Sequence, residues 1–504
     1  MANPLVVIFV HGWSVTNTDT YGELPARLKR EAGNAGGPPL DIRNIYLGQY
    51  VSFRDEVRLE DISRAFDAAV ADVLSSIGGS RRFVCITHST GGPVVRDWLD
   101  RFFVQTKNLA ACPLSHLIML APANFGSALA QLGKSRLSRI KAWFDGVEPG
   151  QRVLDWLELG SPEACDLNVR WINDYGALKL TRLARPIFLF VLTGDRIDHK
   201  LYDHLNSYTG EIGSDGVVRA AAANLNATYV RLEQAPADRG QTLAKAKTKL
   251  RALTATVKTS PRTAFKIIPD AAHTGVKMGI MQSVTETGVL HPTVEAILRC
   301  LRVIDSATYA SLCDAFDLEN DTHQLPANRL EIENVPVLPD REYVHDPHCM
   351  VIWRLLDDRG AHIQDVDVLL TAGPNNSPDQ LPENFLPDRQ GNHRDPSAIT
   401  FFLNYAALAG SPAIPQPDGS IAREALISRG NYGLVIRPRN QEGIVLYLEG
   451  GISSATDTIL QYIQPNQTTL IDIVLTRIVL DGVFTFTQQL APREFKNDPF
   501  GNPL

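Results

Sequence analysis

A chain of 504 residues is longer than one hydrophobic core usually organises, so two or three domains are expected. Hydrophobic residues at 44% and charged residues at 21% are ordinary for a soluble globular protein with a large core. The formal net charge of −7 argues against nucleic-acid binding, which calls for a basic surface.

Six cysteines, Cys85, Cys112, Cys165, Cys300, Cys313 and Cys349, are spread along the chain without the close pairing of a zinc or redox site. They read as reduced thiols in a cytoplasmic compartment, with a Cys300–Cys313 pairing left open. Met1-Ala2-Asn3-Pro4 has no basic n-region, and the apolar run from Leu5 to Val10 is too short for a signal h-region or a membrane span. The expected location is cytoplasmic, or outside the cell by a route that needs no signal peptide.

Leu5 to Val10 reads as a fully buried strand of a parallel sheet. It ends in His11-Gly12-Trp13, a turn whose Trp13 N–H is placed to meet a developing oxyanion, with His11 pinning the turn. A helix around Tyr21 to Ala32, a strand Ile42 to Leu47 and a helix from about Leu59 to Ile77 follow. This alternation predicts a parallel sheet covered on both faces.

Phe83 to Thr87 is a short apolar, β-branched run broken by His88-Ser89-Thr90-Gly91-Gly92. From Pro93 the pattern becomes helical, with Val94, Val95, Trp98, Leu99 and Phe102 on one face. A strand passing through a serine into a helix, with small neighbours around the turn, is a nucleophile elbow. The motif is Thr-x-Ser-x-Gly, with Thr87 where glycine is usual. Ser89 is the expected nucleophile, and Thr90 N–H the second oxyanion donor.

Leu117 to Leu120 is a further buried strand. The stretch from Phe125 to about Arg185, rich in Trp143, Trp156 and Trp171, reads as a helical cap that shapes an acyl pocket. Pro186 to Leu192 is the next strand, and it places Asp195 and Asp198 as candidate triad acids, beside Asp215 in Gly213-Ser214-Asp215-Gly216-Val217-Val218. The cluster Asp195, Asp198, His199, Asp203 and His204 fits no standard zinc spacing, so neither a metal nor a cofactor is expected. Asn224 to Leu232 is a strand candidate. Gln241 to Lys258, with five basic residues among apolar ones, reads as a solvated helix or loop, or as an exposed basic helix that touches anionic lipid. Ala264 to Ile268 is the last strand of the sheet, and His273 in the loop after it is the expected general base. Thr293 to Ile304 then supplies a closing helix.

Ser306 to Leu338 becomes polar and Pro-containing, as a connector would. Beyond Tyr343, short strand-like runs at Met350–Leu355, Val366–Leu370, Ile399–Leu403, Tyr432–Ile436, Ile444–Leu448, Leu470–Leu475 and Val483–Thr487 predict an antiparallel β-sandwich. The expected domains are therefore 1–304, with a cap at about 125–185, a linker at 305–340, and a β-sandwich-like domain at 341–504 used for binding or packing.

Residues 3 to about 303 resemble the α/β-hydrolase superfamily of bacterial lipases and esterases. The resemblance is carried by Val10-His11-Gly12, His88-Ser89-Thr90-Gly91-Gly92, Asp215-Gly216-Val217-Val218 and His273-Thr274-Gly275. The chain begins almost at its first strand, as in the trimmed members of that fold. The resemblance implies that Asp215 is the triad acid ahead of Asp195. Pro122-Ala123-Asn124-Phe125-Gly126-Ser127 is similar to a Pro-x-x-x-Gly-Ser turn of lipases and lipid acyltransferases.

The expected chemistry is hydrolysis of a lipid or medium-chain acyl ester through Ser89, His273 and Asp215 and an acyl-enzyme. The closest alternative is a phospholipase delivered to other cells as an antibacterial toxin. A different class is a non-catalytic binding protein that kept the hydrolase scaffold.

Overall fold

A computed structural model describes residues 4–11, 20–34, 37–50, 54–77, 82–132, 150–197, 211–234, 251–333, 340–439, 445–455, 458–479, 485–486 and 502–503. The first eight strands are β1 (Leu5–His11), β2 (Leu40–Tyr46), β3 (Phe83–His88), β4 (Leu114–Leu120), β5 (Phe188–Thr193), β6 (Ala227–Gln234), β7 (Arg251–Thr259) and β8 (Ala264–Ile267). Six of them form one sheet in the order β2-β1-β3-β4-β5-β8. Every pairing in it is parallel.

A parallel sheet must be covered on both faces, and this accounts for the unbroken apolar runs of β1, β3, β4 and β5. Side chains alternate between two cores. Val6, Ile8 and Val10 join Cys85, Leu117, Met119 and the helices α1 (Leu59–Ser76) and α2 (Gly91–Leu99) on one side. Val7 and Phe9 join Val84, Ile86, Phe190 and the helices Leu24–Asn34, Pro292–Leu301 and Ser306–His323 on the other. Each such side chain contributes about 1.5–3 kcal/mol when fully buried.

The helix Ser306–His323 replaces the expected start of a connector. Its Tyr309, Leu312, Cys313 and Phe316 are buried, a narrow stripe at helical spacing within a polar sequence. Asp305 caps it through a reciprocal capping box with Thr308.

The stretch read as a cap holds the helices Gln151–Leu157, Pro162–Asn173 and Tyr175–Leu178, while 133–149, with Trp143, lie outside the described residues. These helices are core layers. Trp156, Leu157, Leu167 and Trp171 pack in one cluster with Val94, Val95 and Trp98 of α2.

The later strands are β9 (Leu330–Glu333), β10 (Arg341–Val344), β11 (His348–Asp357), β12 (Val366–Ala372), β13 (Asp388–Gly391), β14 (Ala398–Asn404), β15 (Ile414–Pro415), β16 (Ile421–Arg423), β17 (Tyr432–Pro438), β18 (Val445–Leu446), β19 (Gly450–Ile452) and β20 (Thr468–Leu475). A nine-stranded sheet runs β12-β17-β19-β7-β6-β20-β11-β14-β13. Val368, Leu434, Trp353, Phe401 and Ile471 share one core, so the two ends of this sheet enclose a common interior. The sheet is mixed rather than purely antiparallel, because β20 lies parallel to both β11 and β6. β6 and β7 come from within the first 304 residues, so the nine-stranded sheet draws strands from both sides of the boundary that the sequence suggests. β7 (Arg251–Thr259) overlaps the end of the Gln241–Lys258 stretch read as a basic helix or loop; 235–250 lie outside the described residues.

All six cysteines are free and buried. Among the described residues, no helix is long and apolar enough to cross a membrane.

Candidate active site

β3 ends at His88 and α2 begins at Gly91, so Ser89 and Thr90 form the bend between them. Ser89 takes φ = +53°, a left-handed conformation that costs a side-chain-bearing residue about 1–3 kcal/mol. The surroundings hold it there. Ser89 N–H donates to Leu120 O at 3.0 Å, and Gly92 N–H donates to Ser89 O at 3.3 Å. A Cβ on Gly92 would lie 2.7 Å from Pro122 Cβ and 3.2 Å from Met119 Sδ, so only glycine lets α2 come this close to the end of β4. Thr87 is tolerated in place of the usual glycine because Gly91 faces it: a Cβ on Gly91 would lie 3.1 Å from Thr87 Cβ. Thr90 follows as the N-cap of α2, where backbone N–H groups have no intrahelical acceptor.

The loop after β8 carries His273, which is fully buried. Its Nδ1 lies 2.8 Å from Asp215 Oδ2, and its backbone N–H donates to Asp215 O at 2.9 Å. Asp215 Oδ1 accepts from Val217 N–H at 3.0 Å and Val218 N–H at 2.7 Å. Both carboxylate oxygens are thus engaged. A carboxylate only accepts, so His273 carries its proton on Nδ1 and presents the Nε2 lone pair outward.

His88, next to Ser89, accounts for how the imidazole stays in place. Its Nε2 lies 3.2 Å from His273 O, and the two rings are 4.6 Å apart between centroids. Burial, then the neighbouring His273, push the His88 imidazole well below its ordinary range, so it is a neutral donor to that carbonyl. In the sequence His88 stands out only as part of the elbow motif; its contact with a loop 185 residues away leaves no local trace.

Ser89 Oγ and His273 Nε2 are both buried without a hydrogen-bond partner among the described residues. One can donate and the other can accept, and His88, the residue before Ser89, is in contact with His273.

Asp195 is placed elsewhere. Its Oδ2 lies 3.0 Å from His323 Nε2, on the helix Ser306–His323, and Oδ1 is 3.9 Å from Arg196 Nε. Asp198, His199, Asp203 and His204 lie outside the described residues, as do Gly12 and Trp13. Among the described residues, no group of three acidic, histidine or cysteine side chains is arranged to hold a metal ion. His11 is buried, bonded to Asn44 Oδ1 at 3.0 Å and packed on Tyr21 and Tyr46, while the turn it is expected to pin lies outside the described residues.

The Pro122–Ser127 turn ties these parts together. Ser127 Oγ donates to Val217 O at 2.6 Å, and Asn124 Nδ2 donates to Ala223 O at 2.7 Å. Arg96 of α2 donates to Asn124 Oδ1 at 3.1 Å and Asn168 Oδ1 at 2.9 Å. The elbow helix and the Asp215 loop are therefore joined through one buried polar network.

A parallel sheet covered by helices, with a strained serine after its third strand in sequence, defines an α/β-hydrolase. No family model matches the chain, and no curated protein does. Among solved structures, the phospholipase PlaB from Legionella pneumophila is 40% identical, with a TM-score of 0.81 over 100% of both chains. The same protein in complex with thio-NAD is 40% identical, with a TM-score of 0.80 over 99% of this chain and 100% of that one. The chain belongs to the family of phospholipase PlaB. That membership and the fold place it among the lipid-ester hydrolases.

Proposed function

We propose that this protein hydrolyses an acyl ester bond of a phospholipid through Ser89, His273 and Asp215. The observation that carries the reading is the fully buried Asp215–His273 pair, with the ring of His88, the residue before Ser89 on its strained bend, 4.6 Å from the ring of His273. The 40% identity to a phospholipase over the whole chain supports the substrate class.

His273 Nε2 takes the proton of Ser89 Oγ as that oxygen attacks the ester carbonyl. The imidazolium is stabilised by Asp215, and His273 then returns the proton to the leaving alcohol. Thr90 N–H stabilises the oxyanion, and Trp13 N–H is assigned the second position by sequence. Water activated by His273 then releases the fatty acid and regenerates Ser89.

The test is fatty-acid release from phosphatidylcholine and phosphatidylglycerol vesicles by wild type, Ser89→Ala and His273→Ala. Release by wild type and a loss of several orders of magnitude in both variants are expected. Undiminished release by either variant contradicts the assignment.

A further inference from the structure

The loop that carries Asp215 is gripped by the nine-stranded sheet. Its described part runs from residue 211 to the short helix Ala220–Ala223. Gly213, at φ = +82°, sits so tightly on β11 that an added Cβ would lie 3.0–3.1 Å from the His348 ring. Ser214 and Arg219 form a β-bridge, and Ala220 N–H donates to Gly213 O at 2.9 Å, which closes the loop around Asp215. Arg219 directly follows Val218, one of the two residues whose N–H groups hold Asp215 Oδ1.

The Arg219 side chain is 1% exposed and makes its contacts with Glu211 and with strands of the nine-stranded sheet. Its Nε and Nη2 donate to both oxygens of Glu211, at 2.8 and 2.7 Å. Nη2 also donates to Asp388 of β13, which accepts a further bond from Gln390 Nε2 at 2.8 Å. The guanidinium lies 4.2 Å from the centroid of Phe402 on β14, and Nη1 is 4.0 Å from Met350 Sδ on β11. Thr468 Oγ1 of β20 donates to Ala221 O at 2.8 Å.

The geometry points to Arg219 and Asp388 as positioning residues for the catalytic acid, so that the nine-stranded sheet sets the orientation of Asp215. The inference rests on the proposed triad. A planar guanidinium bonded to two carboxylates fixes rotation as well as position. Rotation of this loop moves Asp215 Oδ2 relative to His273 Nδ1, and small displacements of catalytic groups are costly.

The experiment uses the full chain and hydrolysis of a soluble p-nitrophenyl ester, with kcat expressed per site titrated by a fluorophosphonate. Asp388→Asn is expected to lower kcat by about tenfold to about a hundredfold, with KM unchanged within about twofold, because substrate contacts are untouched. Arg219→Lys keeps the charge but loses the fork, and should fall to the same degree. In an Asp215→Asn background, Asp388→Asn should have no further effect, since the group it positions is gone.

If Asp388→Asn keeps wild-type kcat per titrated site while Asp215→Asn is crippled, the positioning role is overturned and the triad stands. An equal fall from Asp388→Asn in both backgrounds also overturns it, as a structural loss would act this way. If Asp215→Asn itself retains activity, the triad assignment fails and the positioning role falls with it.

Discussion

Asp215→Asn tests the site at its most constrained atom. Asp215 Oδ1 accepts two backbone N–H groups, at 3.0 and 2.7 Å, so an asparagine must keep its carbonyl oxygen on that side. Its NH2 then faces His273 Nδ1, 2.8 Å away in the wild type, and that nitrogen must become an acceptor. The imidazole proton moves to Nε2, where a base is needed. The side chain is nearly isosteric and the site is fully buried, so the fold is retained while the tautomer is reversed. Reversal of this kind in a serine protease triad lowers kcat by about 10⁴-fold, or about 5 kcal/mol of transition-state stabilisation. Steady-state hydrolysis of a p-nitrophenyl ester reads the effect, with Asp195→Asn as the control. Asp195 is bonded to His323, so its variant should stay within about tenfold of wild type, well short of a triad loss. Activity of Asp215→Asn within about tenfold of wild type, or an equal collapse of Asp195→Asn, refutes the reasoning.

Gly92→Ala should destabilise the fold by about 1–3 kcal/mol in urea melts, because its Cβ would lie 2.7 Å from Pro122 Cβ; an unchanged midpoint contradicts the close approach of α2. Phe316 is fully buried on the helix Ser306–His323, so Phe316→Ala should cost about 3–5 kcal/mol, and a loss below about 1 kcal/mol would return that segment to the role of a connector. His116 and His348 are each held down to about 4 by burial. The unfolded chain therefore takes up protons near pH 6.5 that the folded chain refuses. Their contribution is fully present above that pH, and up to about 3 kcal/mol for each is lost as the pH falls toward 4. Urea midpoints at pH 7.5, 6 and 5 should fall in that order, and a flat series contradicts it.

Much of the proposed site is legible in the sequence because its signals are local. Ser89 is marked by the change from strand to helix pattern around it, and His273 by following the last apolar run. Asp215 needs the family resemblance, since Asp195 satisfies the same order along the chain, and only the pairing partner of each separates them. The sheet membership of β6 and β7 depends on pairing with β20 and β19, more than 190 residues away, which no window of sequence shows. The helix Ser306–His323 escapes because its buried stripe is narrow among polar neighbours. Arg219 is invisible for the same reason as His88: its partners, Asp388 and Phe402, are distant in the chain.

Intact-protein and peptide mass spectrometry after reaction with a fluorophosphonate tests the central claim most directly. The account predicts one adduct, on the peptide containing Ser89, with labelling greatly slowed in His273→Ala. Hydrolysis of phospholipid by a protein that takes up no adduct, or takes it on a different serine, would contradict it.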